Sequence, residues 1–154
     1  MDHDLLLKSR RTAVSGVEFD WILVDRHGQV ALCCSFAEGE IPDVVLEIED
    51  GQRQEFQDTV AGLARRLPPL GTFQEESGGM GSDLTTPEFA KRGIYVFDWK
   101  PWSGPYRRVL VPTVPVQFSS VAAHLGDFRN HVPVADVSFI EAASFHLPGL
   151  VPCR

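Results

Sequence analysis

The sequence is poor in the residues that build metal centres and covalent cross-links. It contains three cysteines, Cys33, Cys34 and Cys153. The first two are adjacent on a predicted strand, where neighbouring side chains point to opposite faces and are poorly placed to bond to each other. We therefore expect reduced thiols, as in a cytoplasmic protein.

Catalytic and metal-binding signatures are also missing. The five histidines form no HxH or HxxxH pattern, whereas a zinc site needs three or four converging ligands. Asp25 and His27 lie together on a predicted turn without a nucleophile beside them. Burial raises the pKa of a mid-strand thiol such as Cys34, and the glycine-rich run at residues 78–82 lacks the Lys-Ser/Thr pair of a phosphate loop. The sequence predicts no catalytic residue, no metal site and no cofactor.

No apolar run approaches the length that spans a bilayer. The chain starts MDHDLLLKSRR, in which acids precede only three leucines, unlike a signal peptide. We expect a cytoplasmic protein without a membrane anchor. At 154 residues, with 44% hydrophobic and 23% charged residues, the chain suits one globular domain. We place that domain at residues 17–154, behind a loosely ordered N-terminal arm at residues 1–16.

The negative charge is concentrated in one segment, residues 38–58. Its single base is Arg53, and eight acids against one base account for the whole net charge of −7. The acids are Glu38, Glu40, Asp43, Glu47, Glu49, Asp50, Glu55 and Asp58. Such a field attracts basic partners and repels nucleic acid, so we expect no nucleic-acid binding.

Two hairpins are predicted to form the sheet. In residues 19–36 two apolar runs flank Asp25-Arg26-His27-Gly28, a sequence that suits a type I turn followed by a left-handed glycine. Both faces of this hairpin are mainly apolar, which indicates a central position covered on both sides. Residues 94–99 and 106–111 form the second hairpin, and a further strand is predicted around residues 134–140.

Helices are predicted between and after these strands. Apolar spacing indicates helices at about residues 41–48, 52–67 and 119–125, and Thr86-Pro87-Glu88 has the pattern of a short helix start. Strands and helices are segregated along the chain. This order favours an α+β fold with a mainly antiparallel sheet of about 4–6 strands and 3–4 packed helices.

Large aromatic side chains and arginines cluster at the mouth of the second hairpin. These residue types are enriched at binding hot spots. The alternative interpretation, in which the aromatic side chains simply cap the end of the sheet, is the simpler of the two and stays open. The cluster consists of Asp98, Trp99, Trp102, Tyr106, Arg107 and Arg108.

Several stretches together resemble a known group of proteins. They are DWILVDRHGQVAL, EGEIP, GIYVFDW, WSGPYRR and a terminal HLPG. A group of small bacterial cytosolic proteins, similar to the immunity proteins that accompany polymorphic or contact-delivered toxins, has this appearance. The resemblance covers residues 17–150 and implies a stoichiometric inhibitor without catalysis, often one that blocks a basic nuclease toxin.

Our first hypothesis is a non-enzymatic protein-binding module, an immunity protein that neutralises a cognate, basic bacterial toxin through its acidic surface. The chain itself would be a monomer or a homodimer. The predicted partner-binding residues are Glu38, Glu40, Asp43, Glu47, Asp50, Asp98, Trp99, Trp102 and Tyr106.

Two other hypotheses remain open. One is a small enzyme or ligand-binding domain with a pocket between the sheet and the loop at residues 70–85, in which Asp20, Asp98 and His27 are the first titratable groups to consider. The other is a structural subunit, which would form a homo-oligomer through an apolar interface.

Overall fold

The hairpin at residues 19–36 occupies the centre of the sheet. The computed structural model describes residues 2–76, 85–147 and 150–152. Strands β1 (Asp20–Val24) and β2 (Val30–Cys34) pair antiparallel, from Asp20 opposite Cys34 to Val24 opposite Val30. All five β2 residues and four of the five β1 residues are buried, which confirms the prediction that this hairpin is covered on both faces.

The turn of the hairpin is held by the Asp25 carboxylate. Its Oδ1 accepts hydrogen bonds from the backbone N–H groups of His27 and Gln29, both at 2.9 Å. Gly28 has a φ of 79°, as the predicted left-handed position requires. Asp25 Oδ2 accepts a further bond from the Phe139 N–H at 2.9 Å, so one buried side chain ties the turn to a distant segment.

Six further strands complete the sheet, and four of them have only two or three residues. They are β3 (Phe73–Glu75), β4 (Tyr95–Trp99), β5 (Tyr106–Pro112), β6 (Pro133–Ala135), β7 (Ser144–Phe145) and β8 (Leu150–Pro152). The strand order is β3-β5-β4-β2-β1-β6-β8, with β7 paired to β5. The β2–β4 and β1–β6 pairs are parallel, whereas the remaining pairs are antiparallel.

Five α-helices accompany the sheet in the described residues. They are α1 (His3–Val14), α2 (Asp43–Leu46), α3 (Arg53–Arg66), α4 (Thr86–Lys91) and α5 (Phe118–Leu125). Helix α3 packs on β1, and α4 packs on β4 and β5. Aromatic side chains of residues 139–145 cover the sheet near Phe97, with Phe139 and Phe145 at ring distances of 5.3 and 5.0 Å.

The α+β class predicted from the sequence is confirmed, but the details of the sheet differ. Most strand pairs are antiparallel, as predicted, but the parallel β2–β4 and β1–β6 pairs make the sheet mixed. The described residues form eight strands and five α-helices, instead of the 4–6 strands and 3–4 helices predicted. The strands missed by the prediction are too short to show a period, and the parallel β2–β4 pairing joins segments about 60 residues apart in sequence. The two hairpins, α3, α4 and α5 lie where the sequence predicted them.

Two predicted elements are shorter than expected. The helix at about residues 41–48 is the four-residue α2, because Ile41 and Ile48 are buried outside the helix and satisfy the apolar spacing without being helical. Within the predicted strand at residues 134–140, only the region of β6 is a strand.

The N-terminal segment contains a twelve-residue helix, α1. Its Leu7 and Val14 side chains are buried, and the helix contacts α2. The loosely ordered arm at residues 1–16 and the single domain at residues 17–154 stay predictions.

We expect the Asp25→Ala variant to lose about 2 to 4 kcal/mol of stability, because one buried and two partly buried backbone N–H groups would lose a charged acceptor. Asp25→Asn, which keeps one carbonyl oxygen, should lose less. Urea unfolding measures both. Asp136→Ala is the control, since the Asp136 side chain is 88% exposed; an equal loss in Asp25→Ala and Asp136→Ala would contradict the role of the turn.

Candidate functional site

A cavity of about 800 Å³ lies where the acidic segment meets the end of α1. This volume is within the range of small-ligand and side-chain pockets, about 300 to 1,000 Å³. Its apolar wall comes from different parts of the chain and consists of Val14, Ala37, Ile41, Pro42, Val44, Pro133 and Leu147. The cavity is therefore not the pocket predicted between the sheet and residues 70–85, a loop that lies partly outside the described residues.

The polar wall of the cavity is dominated by carboxylates. Four predicted partner-binding residues line it together, Glu38, Glu40, Asp43 and Glu47. Among the described residues that line the cavity, Arg11 is the single cation, so the wall carries three net negative charges. The fifth predicted acid, Asp50, lies outside the cavity lining and pairs with Arg10 at 3.1 Å and with Arg53 at 3.0 Å.

Helix α1 supplies the cation of the cavity wall. Arg11 Nη2 donates to Asp43 Oδ1 at 2.7 Å and to the Ile41 carbonyl oxygen at 3.3 Å. Both side chains are half exposed or more, so the pair contributes at most about 1 kcal/mol to stability. The acidic segment therefore keeps a negative wall although α1 neutralises part of it.

One acid of the cavity anchors an exposed tryptophan. The backbone N–H of Trp102 donates to Glu38 Oε2 at 3.1 Å, and Trp102 has a φ of 80°, rare for a residue with a side chain. The side chain is 86% exposed. Glu38, which also lines the cavity, thus holds the large apolar ring of Trp102 in solvent.

The backbone of the acidic segment is fixed to the core by Tyr106. The Tyr106 hydroxyl donates to the Glu40 carbonyl oxygen at 2.6 Å and accepts from the Trp21 indole N–H at 3.1 Å. A Cβ at Gly39 would lie 2.6 Å from this hydroxyl and 2.9 Å from the Ser35 Cα, so only glycine permits the approach. Burial raises the pKa of Tyr106 well above its ordinary value, and the hydroxyl remains a donor.

Three predicted partner-binding residues are buried, namely Asp98, Trp99 and Tyr106, with exposures of 3%, 4% and 0%. Trp99 packs edge-on against Tyr106 at 5.0 Å and against His146 at 6.0 Å. His146 in turn pairs with Glu40 at 2.9 Å. In this arrangement Trp99 and Tyr106 lie beneath the acidic segment and help to fix its position. Of the three aromatic residues predicted to bind a partner, Trp102 is the exposed one.

A row of titratable side chains crosses the centre of the sheet. Asp20 is opposite Cys34, Cys34 is opposite Asp98, and Asp98 is opposite Arg107 on successive strands. Burial raises the pKa of Asp98 to about 7, the Cys34 thiol lowers it, and Asp20 raises it further. The Cys34 thiol lies beside the Asp98 carboxyl, but within the part of the chain that the structure describes no hydrogen bond of ordinary geometry reaches either Asp98 oxygen.

The sequence pointed to Asp20, Asp98 and His27 as the titratable groups of an enzyme site. Asp20 and Asp98 lie on either side of Cys34, two strands apart in the sheet, whereas His27 lies on the turn at the opposite end of β1. Burial also raises the pKa values of Cys33 and Cys34 well above the ordinary value, so both thiols are inert as nucleophiles at neutral pH.

The described residues contain neither a metal-binding cluster nor a membrane-spanning helix. No group of three or more His, Cys, Asp or Glu side chains there has the geometry to hold a metal ion. Among the helices of residues 2–76 and 85–147, none has both the length and the apolar character needed to cross a membrane.

Comparison with known proteins gave no relative. No protein-family model, no curated protein and no solved structure matches this chain. Any inference about function therefore rests on the geometry of the cavity and its surroundings.

The buried Asp98 carboxyl predicts a pH dependence of stability. Its folded-state pKa, about 7, lies above the ordinary value of 3.8, so between these pH values the folded chain holds a proton that the unfolded chain loses. The contribution of Asp98 is fully present below pH 4, is lost as pH rises to 7 and is constant above that. We expect the stability of Asp98→Asn, relative to the wild type, to rise by up to about 4 kcal/mol over this range.

Urea unfolding at several pH values between 4 and 8 measures this difference. Asp136→Asn is the control, because its side chain is mostly in solvent. A difference between Asp98→Asn and the wild type that does not change with pH would show that Asp98 has an ordinary pKa in the folded protein.

Proposed function

We propose that the protein is a non-enzymatic protein-binding module, an immunity protein that neutralises a basic bacterial toxin. The observation that carries this proposal is the acid-lined cavity beside an exposed tryptophan. Glu38 belongs to both features, since it lines the cavity and accepts the Trp102 N–H. Carboxylates and a solvent-exposed aromatic ring in one place are the components of a protein-docking surface for a cationic partner.

The acidic segment serves the association in two ways. All of its excess charge contributes to the long-range field that raises the association rate with a basic protein. The four cavity acids also stand where a docked partner would meet them, whereas Glu55 and Asp58 are exposed on α3 and outside the cavity lining. Contact and steering are therefore separable by mutation.

The exposed tryptophan favours the interpretation that this face contacts a partner over the interpretation that it is simply covered by water. Trp102 leaves most of a large apolar ring in water, and its backbone conformation is held in place by Glu38. Tryptophan is strongly enriched among residues whose truncation costs a complex more than about 2 kcal/mol. A partner that covers this ring would remove its apolar surface from water, which favours association.

The test is co-expression of the chain with the product of the adjacent gene. We expect the two to co-purify and the toxicity of that product to be suppressed. Glu38→Lys/Glu47→Lys should abolish suppression or weaken binding by about a hundredfold or more, because two carboxylates of the contact region become cations.

The matched control is Glu55→Lys/Asp58→Lys. It changes the net charge by the same amount at exposed positions of the same segment, so it should slow association moderately and keep suppression. Equal losses in the two double variants would indicate that only the overall field matters. Full suppression by Glu38→Lys/Glu47→Lys would refute the docking surface.

A small enzyme or ligand-binding domain is the second candidate, and the Asp20–Cys34–Asp98 row favours it. A buried carboxyl with a pKa of about 7 is a common feature of general acids and bases. This candidate requires turnover or ligand binding that Asp98→Asn abolishes and Glu38→Lys/Glu47→Lys leaves intact.

A further inference from the structure

The cavity combines an apolar wall with a carboxylate wall in a form that suits one kind of side chain. Ile41, Val44 and Leu147 line it together with Glu38, Glu40, Asp43 and Glu47. An arginine side chain has the complementary division, with an aliphatic stem that packs on apolar surface and a charged head group. At about 800 Å³ the cavity has room for such a side chain and part of the backbone that carries it.

The wall already binds a guanidinium group of the chain itself. Arg11 reaches the Asp43 carboxylate at 2.7 Å and the Ile41 carbonyl oxygen at 3.3 Å from one nitrogen. The wall thus offers a guanidinium group both a carboxylate and a backbone carbonyl oxygen as acceptors. Arg11 does not use the other carboxylates of the cavity.

Acceptors for a second cation remain in the wall. Within the described residues the Glu47 carboxylate accepts no hydrogen bond and forms only a loose ion pair with the His3 imidazole, at 3.7 Å. Glu38 uses one of its two carboxylate oxygens for the Trp102 N–H. A planar guanidinium group presents donors in a fork that suits two such carboxylates better than an ammonium group does.

We propose that the cavity receives an arginine side chain of the protein partner, presented on an extended segment. The stem packs on the apolar wall and the guanidinium group bonds to Glu38 and Glu47, while Trp102 contacts the same segment outside. This inference rests on the proposed function in that the partner is basic. It adds the point of contact and the residue type that is recognised.

The first experiment uses the peptide acetyl-Gly-Gly-Arg-Gly-Gly-amide as the probe. We expect it to shift amide resonances of residues 37–47 in two-dimensional NMR spectra and to saturate at millimolar concentration. The same peptide with citrulline, which keeps the shape of arginine without its charge, should bind at least about tenfold more weakly, and the lysine peptide should lie between them. Equal binding of the arginine and citrulline peptides, or of the arginine and lysine peptides, would overturn the proposal.

The second experiment blocks the cavity without changing its charge. Asn130 is exposed and lines the cavity, so Asn130→Trp should exclude the arginine peptide while Asn130→Ala binds it. Glu47→Gln should weaken the arginine peptide by about tenfold, because a charged acceptor becomes neutral. Wild-type-like urea unfolding of each variant shows that the fold is kept, and unchanged peptide binding by Asn130→Trp would place the peptide elsewhere.

The same variants separate this inference from the proposed function. Toxin suppression that fails in Glu38→Lys/Glu47→Lys but persists in Asn130→Trp would keep the docking surface and overturn insertion into the cavity. Arginine-specific peptide binding without toxin suppression would keep the cavity site and overturn the immunity role. Dissociation of a homodimer by Asn130→Trp would identify a second copy of the chain as the occupant and overturn the proposal.

Discussion

The parallel pairing of β2 with β4 is the constraint on which the rest of the structure depends. It places the two hairpins side by side, with Ala31 opposite Tyr95 and Cys34 opposite Asp98. Because β2 is bonded on both edges and buried throughout, the pairing is protected from water. The aromatic side chains of the second hairpin consequently lie behind the acidic segment that follows the first.

This pairing also explains why some features were predictable from the sequence and others were not. The Asp25 turn, α3 and the two hairpins depend on local patterns, and each was found where those patterns indicated. The parallel β2–β4 pair is formed by apolar residues that could pack equally well beside several other strands. No local sequence pattern therefore identifies β4 as the partner of β2. A strand as short as β7 has no detectable alternation of apolar and polar residues. It forms because a longer neighbouring strand has an edge with which it can pair.

The candidate site was predictable in its charge but not in its shape. The concentration of acids in residues 38–58 is visible in the sequence, and four of them line the cavity. The contribution of α1 is not visible, because Arg11 meets Asp43 across 32 residues of chain. Nor does the sequence show which aromatic residue is exposed, since Trp99 and Trp102 are three residues apart in one turn region and have opposite environments.

The Tyr106 hydroxyl links the candidate binding surface to the centre of the sheet. It bridges the Glu40 carbonyl oxygen and the Trp21 indole of the central strand β1. The outer loop and the middle of the sheet therefore share one oxygen atom as their common anchor. A partner that immobilises Glu40 would slow hydrogen exchange of the β1 amides, far from any atom it touches.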